Sequence, residues 1–260
     1  MLPYRSIPSL NSQATRCDRV MDAPSPQDLL ALWEKGEGRR AGGRALALLA
    51  GESPQAVRDT ALLSVGRRDA LLLDLRERLF GSRFTGLTAC PSCRGEVELT
   101  FGATDVRRES AEMLIGTVHV QGIEVEFRVP NGSDAVAIES AGDIATARAM
   151  LLTRCVTQAT RDGEPVASDE LPAAVVEAVT GHMAELDPQA DVAIDVDCPW
   201  CNHGWREPFD IVTFLWNELS ASARRIFGDV HLLASAYGWS ESEILQLTPA
   251  RRESYLEMVR

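Results

Sequence analysis

Lysine is almost missing from this chain. Lys35 is the only one, and arginine supplies nearly all the positive charge. Together with the abundant alanine, this reads as the imprint of a GC-rich genome rather than a device. The formal net charge is −12, which disfavours non-specific nucleic-acid binding, because that depends on Lys and Arg neutralising phosphates. The arginine pairs Arg39-Arg40, Arg67-Arg68 and Arg224-Arg225 read as solvated faces and carboxylate partners. No apolar run approaches the ~18 residues that span a bilayer. The N-terminal "MLPYRSIPSLNSQATRCDRV" places polar residues and prolines where a signal peptide needs an apolar core. A soluble cytoplasmic protein is expected. Histidine is also scarce: His119, His182, His203 and His231 are scattered and form no H-E-x-x-H. P-loop and G-x-S-x-G signatures are missing, and the glycines of "GEGRRAGGR" follow no strand and match no dinucleotide fingerprint. No catalytic constellation and no small-molecule site emerges, so an enzyme is not expected.

What the chain does have is apolar bulk, 45% of residues, enough to build a packed core. Residues 1–22 show no periodicity and read as a disordered tail. Met21, just before the first helix signal, is a second candidate start. Residues 23–82 read as a helical region. Ser25-Pro26 is a capped start, Ser53-Pro54 repeats it, and Gly81 stops "RRDALLLDLRERLFG". "GEGRRAGGR" reads as a loop, followed by a short helix that ends at Gly51.

Residues 83–207 change character. "FTGLTACPSCRGEVELTF" reads as strand, turn, strand, with Val97, Leu99 and Phe101 alternating with Glu96, Glu98 and Thr100. "GTVHVQGIEVEFRV" is a second hairpin turning near Gln121-Gly122. A short helix over 134–140 follows. The next is capped by Asp143, with Ile144, Ala147, Met150, Leu151 and Cys155 as its apolar face. Pro172 opens a further helix to about Leu186, and "VAIDVD" is a strand that delivers Cys198. Residues 208–260 return to helix. Asp210 is an N-cap with Phe209 stapled to Phe214. Ser220 opens a second helix bearing Ile226, Phe227, Val230, Leu233, Ala234 and Tyr237. Ser240 and Glu243 make a capping box, and Thr248-Pro249 starts the last helix. The expected fold is α+β, mostly helical, with a split zinc-ribbon-like β element and a helical insertion.

Six cysteines remain to be explained. Cys17 and Cys155 stand alone, and Cys155 reads as a small core residue. The other four form "ACPSCRGEVELTF" and "DCPWCNHGWREPF", each C-P-x-C with glycine soon after and then a candidate strand. A zinc knuckle uses such a turn to present two thiolates on one side. Tetrahedral zinc needs four ligands, so Cys90, Cys93, Cys198 and Cys201 imply one shared site. Ordinary ribbons space their knuckles by about 15 to 20 residues. Here a large insertion intervenes, which loop-closure entropy tolerates because its cost grows only logarithmically. Thioredoxin-type redox chemistry competes, since "CPWC" suits it, but "NHGWREP" crowds the helix turn that would follow. Unligated thiols are a third reading, and His203 is a possible substitute ligand. A four-thiolate site is closed, so zinc there is a folding element rather than a Lewis acid.

The C-terminal "FLWNELSASARRIFGDVHLLASAYGWSESEILQLTPARRESYLEMV" is the most distinctive stretch. With "GRRDALLLDLRERLFG", "CPSC" and "MAELDPQADVAIDVDCPWC", it resembles the baseplate hub assembly chaperone family of contractile phage tails and related bacterial contractile injection systems. The resemblance spans roughly residues 22–260 and is strongest in the last fifty. It implies a non-enzymatic protein that helps hub and spike proteins assemble, and it carries over no functional residues. Trp216, Tyr237 and Trp239 are amphipathic aromatics near helix ends, the kind that favour interfaces, although packing within the C-terminal helices explains them as well. Two other classes stay open. A zinc-ribbon nucleic-acid or transcription factor would need a basic ribbon face, but Glu96, Glu98, Glu207 and Asp210 balance Arg94 and Arg206. A thiol oxidoreductase would show oxidisable vicinal thiols and no metal.

Overall fold

The computed structural model describes residues 24–50 and 54–259. The readings made on residues 1–22, Cys17, Met21, Gly51 and Ser53 lie outside them. The chain is α+β. Four helices come first: α1 (Pro26–Gly36), α2 (Ala41–Ala50), α3 (Pro54–Leu62) and α4 (Val65–Phe80). Ser25 caps α1 in a reciprocal box with Asp28, and Ser64 caps α4 by accepting from the Arg67 N–H. Gly81 ends α4 at φ 85°, a conformation open chiefly to glycine. The loop expected at "GEGRRAGGR" is shorter than the sequence suggests, because Gly42 and Gly43 lie inside α2. The reason is a close helix crossing. A Cβ on Gly42 would sit 3.1 Å from the backbone of Ala135 and Val136, so the glycine there permits contact rather than a break.

Strands β1 (Arg83–Ala89) and β2 (Glu96–Gly102) form the first antiparallel hairpin, with Ala89 opposite Glu96 at the cysteine end. A single turn, α5 (Ala103–Val106), leads into the insertion. There β3 (Ile115–Val120) and β4 (Ile123–Arg128) turn through Gln121 and Gly122, both at positive φ, as a tight hairpin requires. Helices α6 (Gly132–Ile138) and α7 (Ile144–Cys155) follow, then β5 (Val156–Arg161) and β6 (Glu164–Pro165), which complete a four-stranded sheet of order β3-β4-β5-β6. Helix α8 (Ala173–Leu186) covers one face of this sheet. Val175 and Val179 pack with Ile123, Val125, Phe127 and Ala159 into a core of its own.

The second cysteine hairpin is β7 (Ala193–Asp197) with β8 (Gly204–Pro208). Next comes α9 (Ile211–Tyr237), one unbroken helix of 27 residues. The helix start expected at Ser220 is therefore incorrect. Ser220 sits mid-helix and buried, next to buried Leu219, Ser222 and Ala223, where packing outweighs its preference for caps. Helices α10 (Glu241–Leu245) and α11 (Pro249–Val259) close the chain. The Asp143, Asp210 and Ser240 caps form as the sequence suggests, and Phe209 meets Phe214 with ring centroids 5.7 Å apart. The apolar face expected on α7 is only partly used: Cys155 is buried, but Ile144 is 88% exposed.

The main core lies between α4 and the first half of α9. Leu72, Leu73, Leu215 and Leu219 meet Leu48 of α2 and Phe84 of β1 there. Arg76 crosses this core as a fully paired cation. It grips the Glu218 carboxylate with Nε at 2.8 Å and Nη2 at 2.7 Å, donates to the Gly81 carbonyl, and lies 3.8 Å over the Phe84 ring. Two buried polar residues tie the end of the insertion to this core. The Asp187 carboxylate accepts from the Gly66 N–H at 2.8 Å in the first turn of α4, and from the Ser110 hydroxyl. Gln189 accepts from the Arg108 N–H and donates to the Val106 carbonyl. Within the insertion, buried Asp134 is held by Arg128 and Arg154. Burial would raise its pKa, but the two guanidinium groups and the Asn131 N–H outweigh this and hold it at about 2.

Candidate metal centre

Each cysteine pair sits in the turn of its own hairpin, and the two turns share one backbone pattern. In the first, the Cys90 N–H donates to the Gly95 carbonyl (3.0 Å) and the Arg94 N–H to the Cys90 carbonyl (2.8 Å). In the second, the Cys198 N–H donates to the His203 carbonyl (3.0 Å) and the Asn202 N–H to the Cys198 carbonyl (2.9 Å). Arg94 (φ 61°) and Asn202 (φ 55°) take the left-handed position, so the tight point falls one or two residues before each glycine. Gly95 is required for another reason: the Trp200 ring lies on it, 2.6 Å from where a Cβ would be.

The hairpins bring all four thiols together across more than a hundred residues of chain. Cys90 and Cys201 sulfurs are 3.7 Å apart, Cys93 and Cys198 sulfurs 3.6 Å, and all four lie within 4.8 Å of one another. Four thiolates about 2.3 Å from a central tetrahedral ion would be separated by about 3.8 Å, so this donor set fits such an ion. In both close contacts one cysteine comes from each knuckle. Neither pair is a separate vicinal dithiol site, and the described residues form no disulfide among these cysteines. Cys90 and Cys198 are buried among Val97 and Val196, with Leu99, Ile194 and Trp205 around them, while Cys93 and Cys201 are exposed.

Within the first knuckle the two thiols differ in their electrostatics. Desolvation raises the Cys90 pKa, but the N–H groups of Cys93 and Ser92 and the facing Cys198 and Cys201 thiols outweigh it and bring it to about 6. Cys93 gains from the Gly95 N–H, but desolvation and the three neighbouring sulfurs carry it up to about 12. A cation held by the four sulfurs would favour their thiolate forms. His203 is not among the grouped ligands and stacks on Trp205 at 6.2 Å instead. The ribbon surface is acidic: exposed Glu96, Glu98, Asp195 and Asp197 outnumber exposed Arg94 and Arg206, and Arg206 lies 3.7 Å from Asp195.

The three aromatics suggested as a partner surface fall into two places. Trp216 packs inside the helical body, stacked on Trp33 at 6.5 Å, beneath the Arg44 guanidinium and against Gly36. Tyr237 and Trp239 stack on each other at 4.7 Å with Tyr255 edge-on, and Tyr237 stays 38% exposed. The structure adds Trp200 to the residues of interest. It is 73% exposed and donates its indole N–H to the Glu96 carbonyl of the other hairpin at 3.3 Å. A bulky residue inside one C-P-x-C facing a glycine after the other was the signal available in the sequence.

No described helix is long and apolar enough to cross a membrane. No curated protein matches the chain, nor does any solved structure. A family model does match, described as T4 bacteriophage base plate protein, over residues 52–216. That span takes in both cysteine hairpins, the whole insertion and the start of α9, and ends before most of the C-terminal stretch that carries the sequence resemblance. It covers well over half of the 260 residues, and the chain belongs to the T4 bacteriophage base plate protein family.

Proposed function

We propose that this protein is a non-enzymatic assembly chaperone or minor baseplate component, acting on the hub and spike proteins of a phage-tail-like contractile injection system. The observation that carries this reading is the family match across residues 52–216, joined to the resemblance of the segment beyond it. Its place is the cytoplasm, with incorporation into the particle as the alternative end point. The four cysteines hold a structural zinc ion in this reading. Cys90, Cys93, Cys198 and Cys201 complete a tetrahedral shell of thiolates with no open position, so the ion fixes the two hairpins and does no chemistry on a substrate. The exposed carboxylates of the ribbon, Glu96, Glu98, Asp195 and Asp197, support protein rather than nucleic-acid partners.

Affinity capture of a tagged full chain from its own cells, with mass spectrometry of co-purifying proteins, tests the assembly reading. Hub, spike or other baseplate proteins are expected. Recovery of transcription machinery or of thioredoxin-system proteins instead would overturn it. Among the aromatics, the Tyr237–Trp239 pair is the better candidate contact, because Trp216 is already engaged by Trp33 and Arg44. Tyr237→Ala should reduce capture of the partner more than Trp216→Phe does.

A further inference from the structure

The two knuckles are related by a repeated turn, but only one of them reaches across to the other. Trp200 lies between Pro199 and Cys201, where the first knuckle has Ser92. Its indole crosses to the first knuckle, covers Gly95 and donates to the Glu96 carbonyl. At the position matching Gly95 the second knuckle has His203, whose ring is turned onto Trp205. The crossing is close. A Cβ on Gly95 would be 2.6 Å from Trp200 Cδ1, 3.2 Å from Nε1 and 3.4 Å from the Cys93 sulfur. The indole, the Gly95 backbone and the exposed Cys93 thiol therefore share one small volume at the rim of the cluster.

We infer that Trp200 is a latch for the metal centre: a positioning residue that ties the second knuckle to the first beside Cys93 and slows escape of the bound ion. This rests on the reading of the four cysteines as a metal site. Trp200 carries no ligand atom among the clustered sulfurs, so its part is kinetic and geometric. It holds Cys93 against Cys198, whose sulfurs lie 3.6 Å apart across the knuckles, while the ion is bound. For an ion to leave, the two knuckles must part, and the indole hydrogen bond to Glu96 and its contact with Gly95 oppose that separation. Outer-shell contacts of this kind typically change metal affinity by 10 to 100-fold.

The test uses the full chain loaded with cobalt(II) or zinc(II). Cobalt reports the ligand set through its thiolate charge-transfer and ligand-field bands, and zinc release to a chromogenic chelator reports the rate. Trp200→Ala and Gly95→Ala are both expected to bind one ion with the wild-type cobalt spectrum, and to release zinc about tenfold faster, near the low end of the outer-shell range. Gly95→Ala keeps the tryptophan but forces it off its seat, so it separates loss of the contact from loss of the side chain. Trp200→Phe, with a ring but no N–H, should fall between. Release at the wild-type rate in both alanine variants would overturn the latch while leaving the metal site intact. A wild-type chain that takes up no cobalt or zinc would overturn the metal reading itself.

Discussion

The α4–α9 body and the two cysteine hairpins meet at the start of α9, but different forces hold them. The helical body buries Leu72, Leu73, Leu215, Leu219 and Phe84 around a fully paired Arg76. At their cysteine ends the hairpins bury only Val97, Val196 and two cysteines, with three partly buried neighbours, while Phe84 at the base of β1 packs into the body. Two-stranded hairpins are marginal in water, and small cores need a staple. The body can stand on packing, whereas the hairpins depend on what their four sulfurs bind. Each end of the large insertion leads into one of these hairpins, so the metal site closes a long loop, whose entropic cost grows only slowly with its length. The buried contacts of Asp187 and Gln189 fasten the insertion a second time, independently of the sulfurs.

The largest expected effect comes from the sulfurs. Cys198→Ser should abolish stoichiometric zinc binding, a loss on the order of 10 kcal/mol of binding free energy. Hydrogen exchange should then show amides of β1, β2, β7 and β8 losing protection while α4 and the β3–β6 sheet keep theirs. If α4 lost protection equally, the two regions would be one cooperative unit and the contrast would fail.

Leu215→Ala is the reciprocal experiment. Leu215 is fully buried in the helical body, so truncation should cost about 2–5 kcal/mol by denaturant titration. Zinc content should not change. Loss of the metal in this variant would show that the body dictates hairpin formation.

Acid should push the two regions in opposite directions. Burial pushes the Asp69 carboxyl up to about 6 despite its Arg68 partner, and Asp210 and Asp187 add to the rise. The folded chain therefore holds this proton where the unfolded chain has lost it. Its contribution to stability falls by roughly 3 kcal/mol as pH rises from about 4 to about 6. The metal-held hairpins should do the reverse, because protons compete with the ion for thiolates. Urea midpoints of the metal-free chain at pH 4.5 and 6.5, with Asp69→Asn as control, isolate the first effect. Parallel profiles for the variant and the wild type would refute it.

The smallest effect sits at the junction. Asp210 caps α9 by accepting from the Val212 N–H at 2.9 Å and from the Thr213 hydroxyl. Asp210→Ala should cost about 1 kcal/mol in thermal unfolding and leave zinc content unchanged. A markedly larger loss accompanied by metal release would mean that the hairpins and α9 are coupled through this cap.

Much of this contrast is legible in the sequence, because its signals are local. Alternation gives β1–β2 and β3–β4, short polar side chains mark the caps of α7, α9 and α10, and two C-P-x-C turns name the four sulfurs. The β5–β6 hairpin escaped that reading although its turn, Asp162-Gly163, carries a tight-turn dipeptide at positive φ. Its strands lack alternation, since Thr157, Gln158 and Ala159 do not repeat an apolar residue every second position. Other features depend on tertiary contact. Gly42 continues a helix because α6 crosses there, Ser220 stays helical because it is buried, and Ile144 is exposed despite its helical spacing. The reach of Trp200 over Gly95 joins residues far apart in the chain, and no periodicity encodes it.

Elemental analysis and native mass spectrometry of the purified full chain test the central claim most directly. The account predicts one zinc ion per chain, lost completely from the Cys90→Ser/Cys93→Ser variant and from the Cys198→Ser/Cys201→Ser variant alike. Two ions per chain, an ion retained after removal of either pair, or a metal-free chain with its hairpins intact would contradict it.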